Sequence, residues 1–458
     1  MKKLIYVIIF LYPVFLFSQQ NWYKSSPLDY MWMNVGNAGF SAGVADYTSL
    51  AFSPSGEPYV AYEDYVNSNK ATVMKFDGTD WVNVGIPGFS AGQVLFTSLA
   101  FSQAGQPYVA FTDIGDSGKA VVYKFDGINW INVGIPLFSI SQAFYTNLAF
   151  SPSGQPYVAF EDEYSGITVM KYDGFNWVIV GITGFSGGAA DYISFAFNSS
   201  GQPFVAFKDH VNFRKVTVMK FDGATWVNEG SPGFSAGEVY YTSLAISPSA
   251  EPYLVYVDVA NSFKATVMKF DGINWVNVGP EGFTEGAVGY PDLAFSHSGE
   301  LYLGCVMDYV NYSKATVIKF DGINWINVGN DGFSAGDALW ISLAICQSGQ
   351  PYVAYWDVVN SGKATVMKYD SVSVGISEPY QSQLSIYPNP TSSTVTIDLK
   401  NFPDIKCIEI TDVRGIRMSE TLTSESKVTL NVEDFPVGTY FVKLKTGDSN
   451  YIGKFCKN

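Results

Sequence analysis

Histidine is nearly missing from this chain of 458 residues: only His210 and His297 occur. Cysteine is almost as scarce, with Cys305, Cys346, Cys407 and Cys456 and no C-x-x-C spacing among them. Zinc sites need clustered thiolates and imidazoles, so this composition excludes a zinc centre. A Ser–His–Asp arrangement has no candidate, because the two histidines fall on opposite predicted faces of the repeat described below. Charge is thin, at 15% of residues, and unbalanced. There are 27 Lys and Arg against 42 Asp and Glu, a formal net charge of −15. No basic stripe offsets it, so a phosphate backbone would be repelled and nucleic acid is excluded as a partner. No dense D-x-D-x-D loop occurs, although Asp is abundant enough to leave calcium open as a bridging ion. No stretch carries a helical period, and no long apolar run follows the first twenty residues, so no membrane span is expected in the mature chain.

What is present starts with an address. "MKKLIYVIIFLYPVFLFSQQ" has a Lys2–Lys3 head, an apolar run from Leu4 to Phe17, and a small polar exit at Ser18. The run is short for a span, so residues 1–18 are expected to be a signal peptide cut near Ser18–Gln19. No cysteine sits at the cut to take a lipid. Export permits disulfides, leaving two options for Cys407 and Cys456: a bridge, or free thiols.

The body repeats itself. "KATVMKFDGINWVNVG" at Lys264–Gly279 nearly recurs at Lys70–Gly85 and Lys314–Gly329. Trp falls at one phase in every unit: Trp32, Trp81, Trp130, Trp177, Trp226, Trp275 and Trp325. A period near 49 residues suits propeller blades. Within one unit, "YTSLAFS", "PYVAYED", "KATVMKF" and "WVNVG" read as strands, joined by the turn "PSGE", the loop "YVNSN" and the hairpin turn "DGTD". Four short strands per unit predict an antiparallel four-stranded blade. The Trp-bearing strand appears first at Trp32–Gly36, ahead of the others, and is absent after the last third strand near Asp370. The N-terminal strand should therefore complete the blade begun at Trp340. The expectation is an all-β chain whose residues 32–370 form a seven-bladed β-propeller closed by its N-terminal strand. The "DGINW" turn partly resembles the Asp-box of sialidase-type propellers, without that motif's Ser. Only the structural role carries over: Asp bonds turn amides, Gly supplies positive φ, and Trp packs between blades.

After Asp370 the composition shifts. Residues 371–383, "SVSVGISEPYQSQ", read as a linker, and 384–458 as a small Ig-like β-sandwich. Within it, "YPNPTSSTVTI", "DVRGI", "VGTYFVKL" and the basic end "GKFCKN" resemble the type A C-terminal sorting domain of type IX secretion cargo. Cys456 stands where that family usually has an apolar residue. The resemblance implies contact with the type IX machinery, passage across an outer membrane, and release or attachment at the cell surface. The repeats themselves resemble uncharacterised secreted propeller repeats, which imply no activity.

Two sets of residues mark the predicted long-loop face, where binding sites are usually carried. One is Asp64, Asp113, Asp162, Asp209, Asp258, Asp308 and Asp357, read as one position in all seven repeats. Lys70, Lys119, Lys215, Lys264, Lys314 and Lys363 follow in six. Such an Asp either caps its own loop or meets a ligand. The other set is Tyr47, Phe96, Tyr145, Tyr192, Tyr241, Tyr290 and Trp340, each near the start of an innermost strand. These rings either pack between blades or ring a channel mouth where sugars stack. Just before them the residue varies: Asp46, Leu95, Phe144, Asp191, Tyr240, Gly289 and Leu339. Larger breaks occur at Pro136–Gln142, Glu161–Ile167 and Lys208–Arg214. The expected function is non-enzymatic binding of a glycan or a protein, with a propeller glycoside hydrolase or polysaccharide lyase as the alternative and a purely structural matrix component as a third reading.

Overall fold

The computed structural model describes residues 29–372, apart from 116, 164 and 308–312, and residues 384–458, apart from 401–404, 414–415 and 447–448. The expected signal peptide lies outside the described residues, as does the linker beyond Val372. Two compact units are present, one ending at Val372 and one holding the described C-terminal residues.

The first unit is seven antiparallel sheets of four strands. In blade 1 the strands are Ala45–Phe52, Pro58–Asp64, Lys70–Phe76 and Trp81–Asn83, counted outward from the axis. Blades 2 to 6 repeat this order, and neighbouring innermost strands touch all the way round, including the first against the seventh. In blade 7 the outermost strand is Asp29–Asn34, paired antiparallel with Lys363–Val372, so that Trp32 stands opposite Tyr369. The ring is therefore shut by hydrogen bonds between its two chain ends, which cover the edge that Lys363–Val372 would otherwise present. The last strand runs to Val372, taking in the first two residues expected to be linker.

Sequence explains the packing. Every residue of Pro58–Asp64 is buried, because the second strand has a blade on either side. Trp81 shows the seam between blades. Its indole N–H donates to the Val35 carbonyl at 2.7 Å and its ring stacks on Phe40 at 4.1 Å. The same pair of contacts recurs around the ring and closes it, with Trp32 donating to the Val328 carbonyl and stacking on Phe333. Gly85 must be glycine: its φ is +74° and a Cβ there would stand 2.9 Å from Phe125. At each exposed hairpin the Asp does what the turn requires. Asp77 accepts from the amides of Thr79 and Asp80, both at 2.9 Å, and these bonds hold its carboxyl below the usual range.

The second unit is a two-sheet sandwich. Ser385–Tyr387, Thr394–Asp398 and Lys427–Asn431 form one sheet; Arg417–Thr421, Ile405–Asp412, Gly438–Thr446 and Ser449–Lys457 form the other. Val395, Ile397, Ile408, Ile410, Val442, Leu444 and Phe455 fill the space between them. Cys407 and Cys456 lie on strands flanking Gly438–Thr446 on opposite sides, and all four cysteines are free thiols.

Candidate functional site

The innermost strands give the site its frame. Each carries a bulge about two residues in, seen as a register shift such as that between Asp46 and Ser49. At that point sits the aromatic residue of each repeat, and all seven adopt the left-handed backbone: Tyr47, Phe96, Tyr145, Tyr192, Tyr241, Tyr290 and Trp340 have φ between 45° and 54°. A sequence such as "YTSLAFS" gives no sign of this, because Tyr and Thr are ordinary strand formers. The kink has a structural use. It turns the aromatic's carbonyl toward the next blade, where Thr146 Oγ1 donates to the Phe96 carbonyl at 2.7 Å. Thr48, Thr97 and Thr242 make the equivalent bond to Trp340, Tyr47 and Tyr192.

The side chains meet in a closed ring. Successive centroids are 4.2–5.4 Å apart, from Tyr47–Phe96 through to Trp340–Tyr47, with neighbouring planes tilted by 40–61°. These are favourable aromatic geometries. Five members of the ring, Tyr47, Phe96, Tyr145, Tyr290 and Trp340, line an axial cavity of about 200 Å³, whose walls also include Thr48, Thr97, Asn147 and Ile193. The second set of expected site residues is thus brought together at one end of the axis.

The first set is not. Asp64, Asp113, Asp162, Asp209, Asp258 and Asp357 are all at most 3% exposed. Asp64 Oδ2 accepts from Thr72 Oγ1 at 2.7 Å and from Asn67 Nδ2 at 2.8 Å, and Asp209, Asp258 and Asp357 repeat the pattern. Their carboxylates hold the loop, Asp64 through Oδ2 alone, since no hydrogen bond reaches its buried Oδ1. Asp308 lies outside the described residues and does not occupy the shared position. The register pairs Met307 with Lys314 where the other blades pair Asp with Lys, because this loop is one residue longer. Thr316, on the strand after this loop, donates to Asp331 at 3.1 Å.

Charged groups do gather beside the ring, at positions that differ from blade to blade. Asp46 faces Glu63 across blade 1. Burial, then the charge of Asp46, pushes the Glu63 carboxyl up to about 7, and Gln93 Nε2 lies 3.4 Å from it. Between blades 3 and 4, Glu161 accepts from the Ala190 amide at 3.1 Å, and burial with nearby Asp191 raises its carboxyl. Asp191 Oδ2 lies 2.8 Å from His210 Nε2. Both pairs reach the ring. Burial raises the Tyr47 phenol, aided by Glu63 and Asp46, and burial raises the Tyr145 phenol, aided by Asp191, Tyr192 and Glu161. Lys208 is buried, 2.8 Å from Glu238 and 3.9 Å from the Tyr240 ring centroid. Sequence reading had flagged Asp46 and Asp191 as variable and the stretches holding Glu161, Lys208 and His210 as breaks. It missed Glu63. The signal was the residue before the buried Asp, which runs Glu63, Thr112, Glu161, Lys208, Val257 and Trp356 in six of the blades. Among the described residues no three carboxylate, imidazole or thiol groups are placed to hold a metal ion.

Several solved structures resemble the chain. PorZ, a surface component of the type-IX secretion system of Porphyromonas gingivalis, is 13% identical over 90% of this chain and 59% of its own, with a TM-score of 0.47. This chain thus spans less than two thirds of that protein. An α-L-arabinanase of Penicillium chrysogenum complexed with arabinobiose is 12% identical over 62% and 94%, TM-score 0.43. The SapL1 lectin in complex with alpha methyl fucoside is 15% identical over 64% and 97%, TM-score 0.43. No curated protein matches the chain. The family comparison does find a match: residues 385–458 fit the secretion system C-terminal sorting domain, so the C-terminal sandwich is a type IX sorting domain joined to a β-propeller.

Proposed function

We propose that the chain is a secreted or cell-surface glycan-binding protein, non-catalytic, with the axial aromatic ring as its site. The observation that supports this is the ring itself. A left-handed backbone costs a non-glycine residue about 1–2 kcal/mol, and glycine would serve the kink without that cost. Seven aromatic side chains are kept there all the same, and five of them line the cavity of about 200 Å³. Aromatic rings stack on the apolar faces of sugars, and a rigid frame presents them without further ordering cost. The test is a glycan array probed with the full chain and with Tyr145→Ala, Tyr192→Ala and Tyr241→Ala combined. A control alters Glu57 and Gln155 on the short-turn face. Binding lost in the triple variant and kept in the control supports the reading. Loss in the control alone places the site at the other end of the axis.

One observation favours a second reading, a glycoside hydrolase or polysaccharide lyase. Asp191, His210, Glu161 and Tyr145 form a mixed acid–base group beside the ring, in one sector only. Within it the Glu161 carboxyl and the Tyr145 phenol are raised by burial, and displaced groups of that kind are what such chemistry uses. A polysaccharide degradation screen, with His210→Ala as the inactive control, separates the two.

A further inference from the structure

We propose that the axial cavity selects a cationic saccharide, a pyranose carrying a protonated primary amine, over neutral and anionic sugars. This rests on the glycan-binding reading above and names the ligand class. The aromatic-lined cavity is the site, and the groups beside it set its preference. Tilted Tyr, Phe and Trp rings present electron-rich faces and attract a cation within about 6 Å. Two acidic pairs stand next to ring phenols: Asp46 with Glu63 beside Tyr47, and Glu161 with Asp191 beside Tyr145. Among the described residues no lysine or arginine forms an ion pair with any of these four carboxylates. Two basic side chains close by are committed elsewhere, Lys208 and Arg214, which face Glu238 at 2.8 and 3.8 Å; His210 instead lies 2.8 Å from Asp191, one of the four. The raised carboxyls of Glu63 and Glu161 share burial and a like charge nearby; His210 partly offsets this at Glu161, and no basic group does so at Glu63. An ammonium entering the cavity would supply that charge, while a sulfate or uronate would meet four acids.

The experiment uses three tetrasaccharides with the same β-1,4 backbone that differ at C2: the glucosamine tetramer, the N-acetylglucosamine tetramer and cellotetraose. Titration calorimetry with the full chain at low salt is expected to show the glucosamine tetramer binding about tenfold tighter than either other sugar. The preference should shrink at high salt. It should fall to parity in Glu161→Gln/Asp191→Asn or in Asp46→Asn/Glu63→Gln, variants that keep acceptor oxygens at these places. Cellotetraose or the acetylated tetramer binding as tightly as the amine overturns the inference and leaves the glycan reading standing. So does an amine preference that survives both pairs of substitutions. No binding of any tetramer, with no array signal sensitive to the triple aromatic variant, overturns both.

Discussion

Asp292 breaks the inner seam in a way that stability measurements can read. Next to the channel, the equivalent residues are Ser49, Ser98, Asn147, Ser194, Ser243 and Ser342, whose side chains bond the neighbouring blade. Ser49 Oγ, for example, accepts from the Leu99 amide at 3.0 Å. Blade 6 has Asp292 there, partly buried, accepting from the Leu343 amide at 2.8 Å and the Ser243 hydroxyl at 3.1 Å. Burial outweighs those bonds and raises its carboxyl from 3.8 to about 6. The native state therefore holds the proton more tightly than the unfolded chain does. Stability from this group is full below pH 3.8 and is lost as the pH rises through 6. The gap of about 2 units corresponds to about 3 kcal/mol at neutral pH. Asn can keep the bond from Leu343 and meets Ser243 through its amide, as Asn147 fits the same place in blade 3 by donating to the Ile193 carbonyl at 2.9 Å. Asp292→Asn is thus expected to be more stable than the parent by about 2–3 kcal/mol at pH 7.5, and within about 1 kcal/mol of it at pH 4. Denaturant unfolding at both pH values provides the measurement. Taking the difference between variant and parent cancels other titrating groups, Glu63 among them. A difference that does not change with pH would refute the reasoning.

Trp275→Ala should destabilise the propeller by about 3–5 kcal/mol, since the ring is buried, stacks on Phe234 at 4.8 Å and donates to the Glu229 carbonyl at 2.6 Å; an unchanged melting temperature would contradict the packing account. Deleting the chain through Gly36 exposes the edge of Lys363–Val372 and should produce a less stable, self-associating propeller, checked by melting and size-exclusion chromatography. Removing Leu384–Asn458 should leave a folded propeller held in the periplasm, checked by fractionation and surface proteolysis; normal appearance at the surface would show that the sorting domain is not what exports it.

The blade count was legible because one bulky residue, Trp, recurs at one phase and because the Trp-bearing strand occurs at the front of the chain and not at the back. Those two facts dictate closure before any contact is known. The sorting domain was legible through short turn-bearing motifs. The loop aspartates were legible as a position and misplaced in one blade, since a one-residue insertion moves Met307 into register while leaving an Asp next door. The left-handed aromatics were not legible, because all seven share the kink while the residue after each is Thr in four blades, Ile in two and Pro in one, so no local pattern marks it. Glu63 was missed for a related reason. It reads as an ordinary strand residue, and its meaning comes from Asp46 across the pair and Gln93 in the next blade.

Symmetry and its failure carry different information in such a ring. What repeats seven times, the Trp–Phe stack and the left-handed kink, answers demands every blade shares, and a purely structural account covers the backbone part of it. The turns at the other end of the axis stay close to P-S-G and D-G-x-N throughout, since their residues are committed to backbone geometry. Charged replacements at the short-turn end, Glu57 and Glu300, are paired with Lys75 and Lys319. Asp46, Glu63, Glu161 and Asp191 lie beside the phenols of Tyr47 and Tyr145, at the end where the aromatic ring opens a cavity. Asp46, Glu63 and Glu161 each bear a desolvation cost that a Ser or Thr at the same place would avoid. Substituting these three acids should therefore stabilise the free protein while weakening its hold on a cationic sugar, opposite signs that a merely structural role for the cluster would not produce.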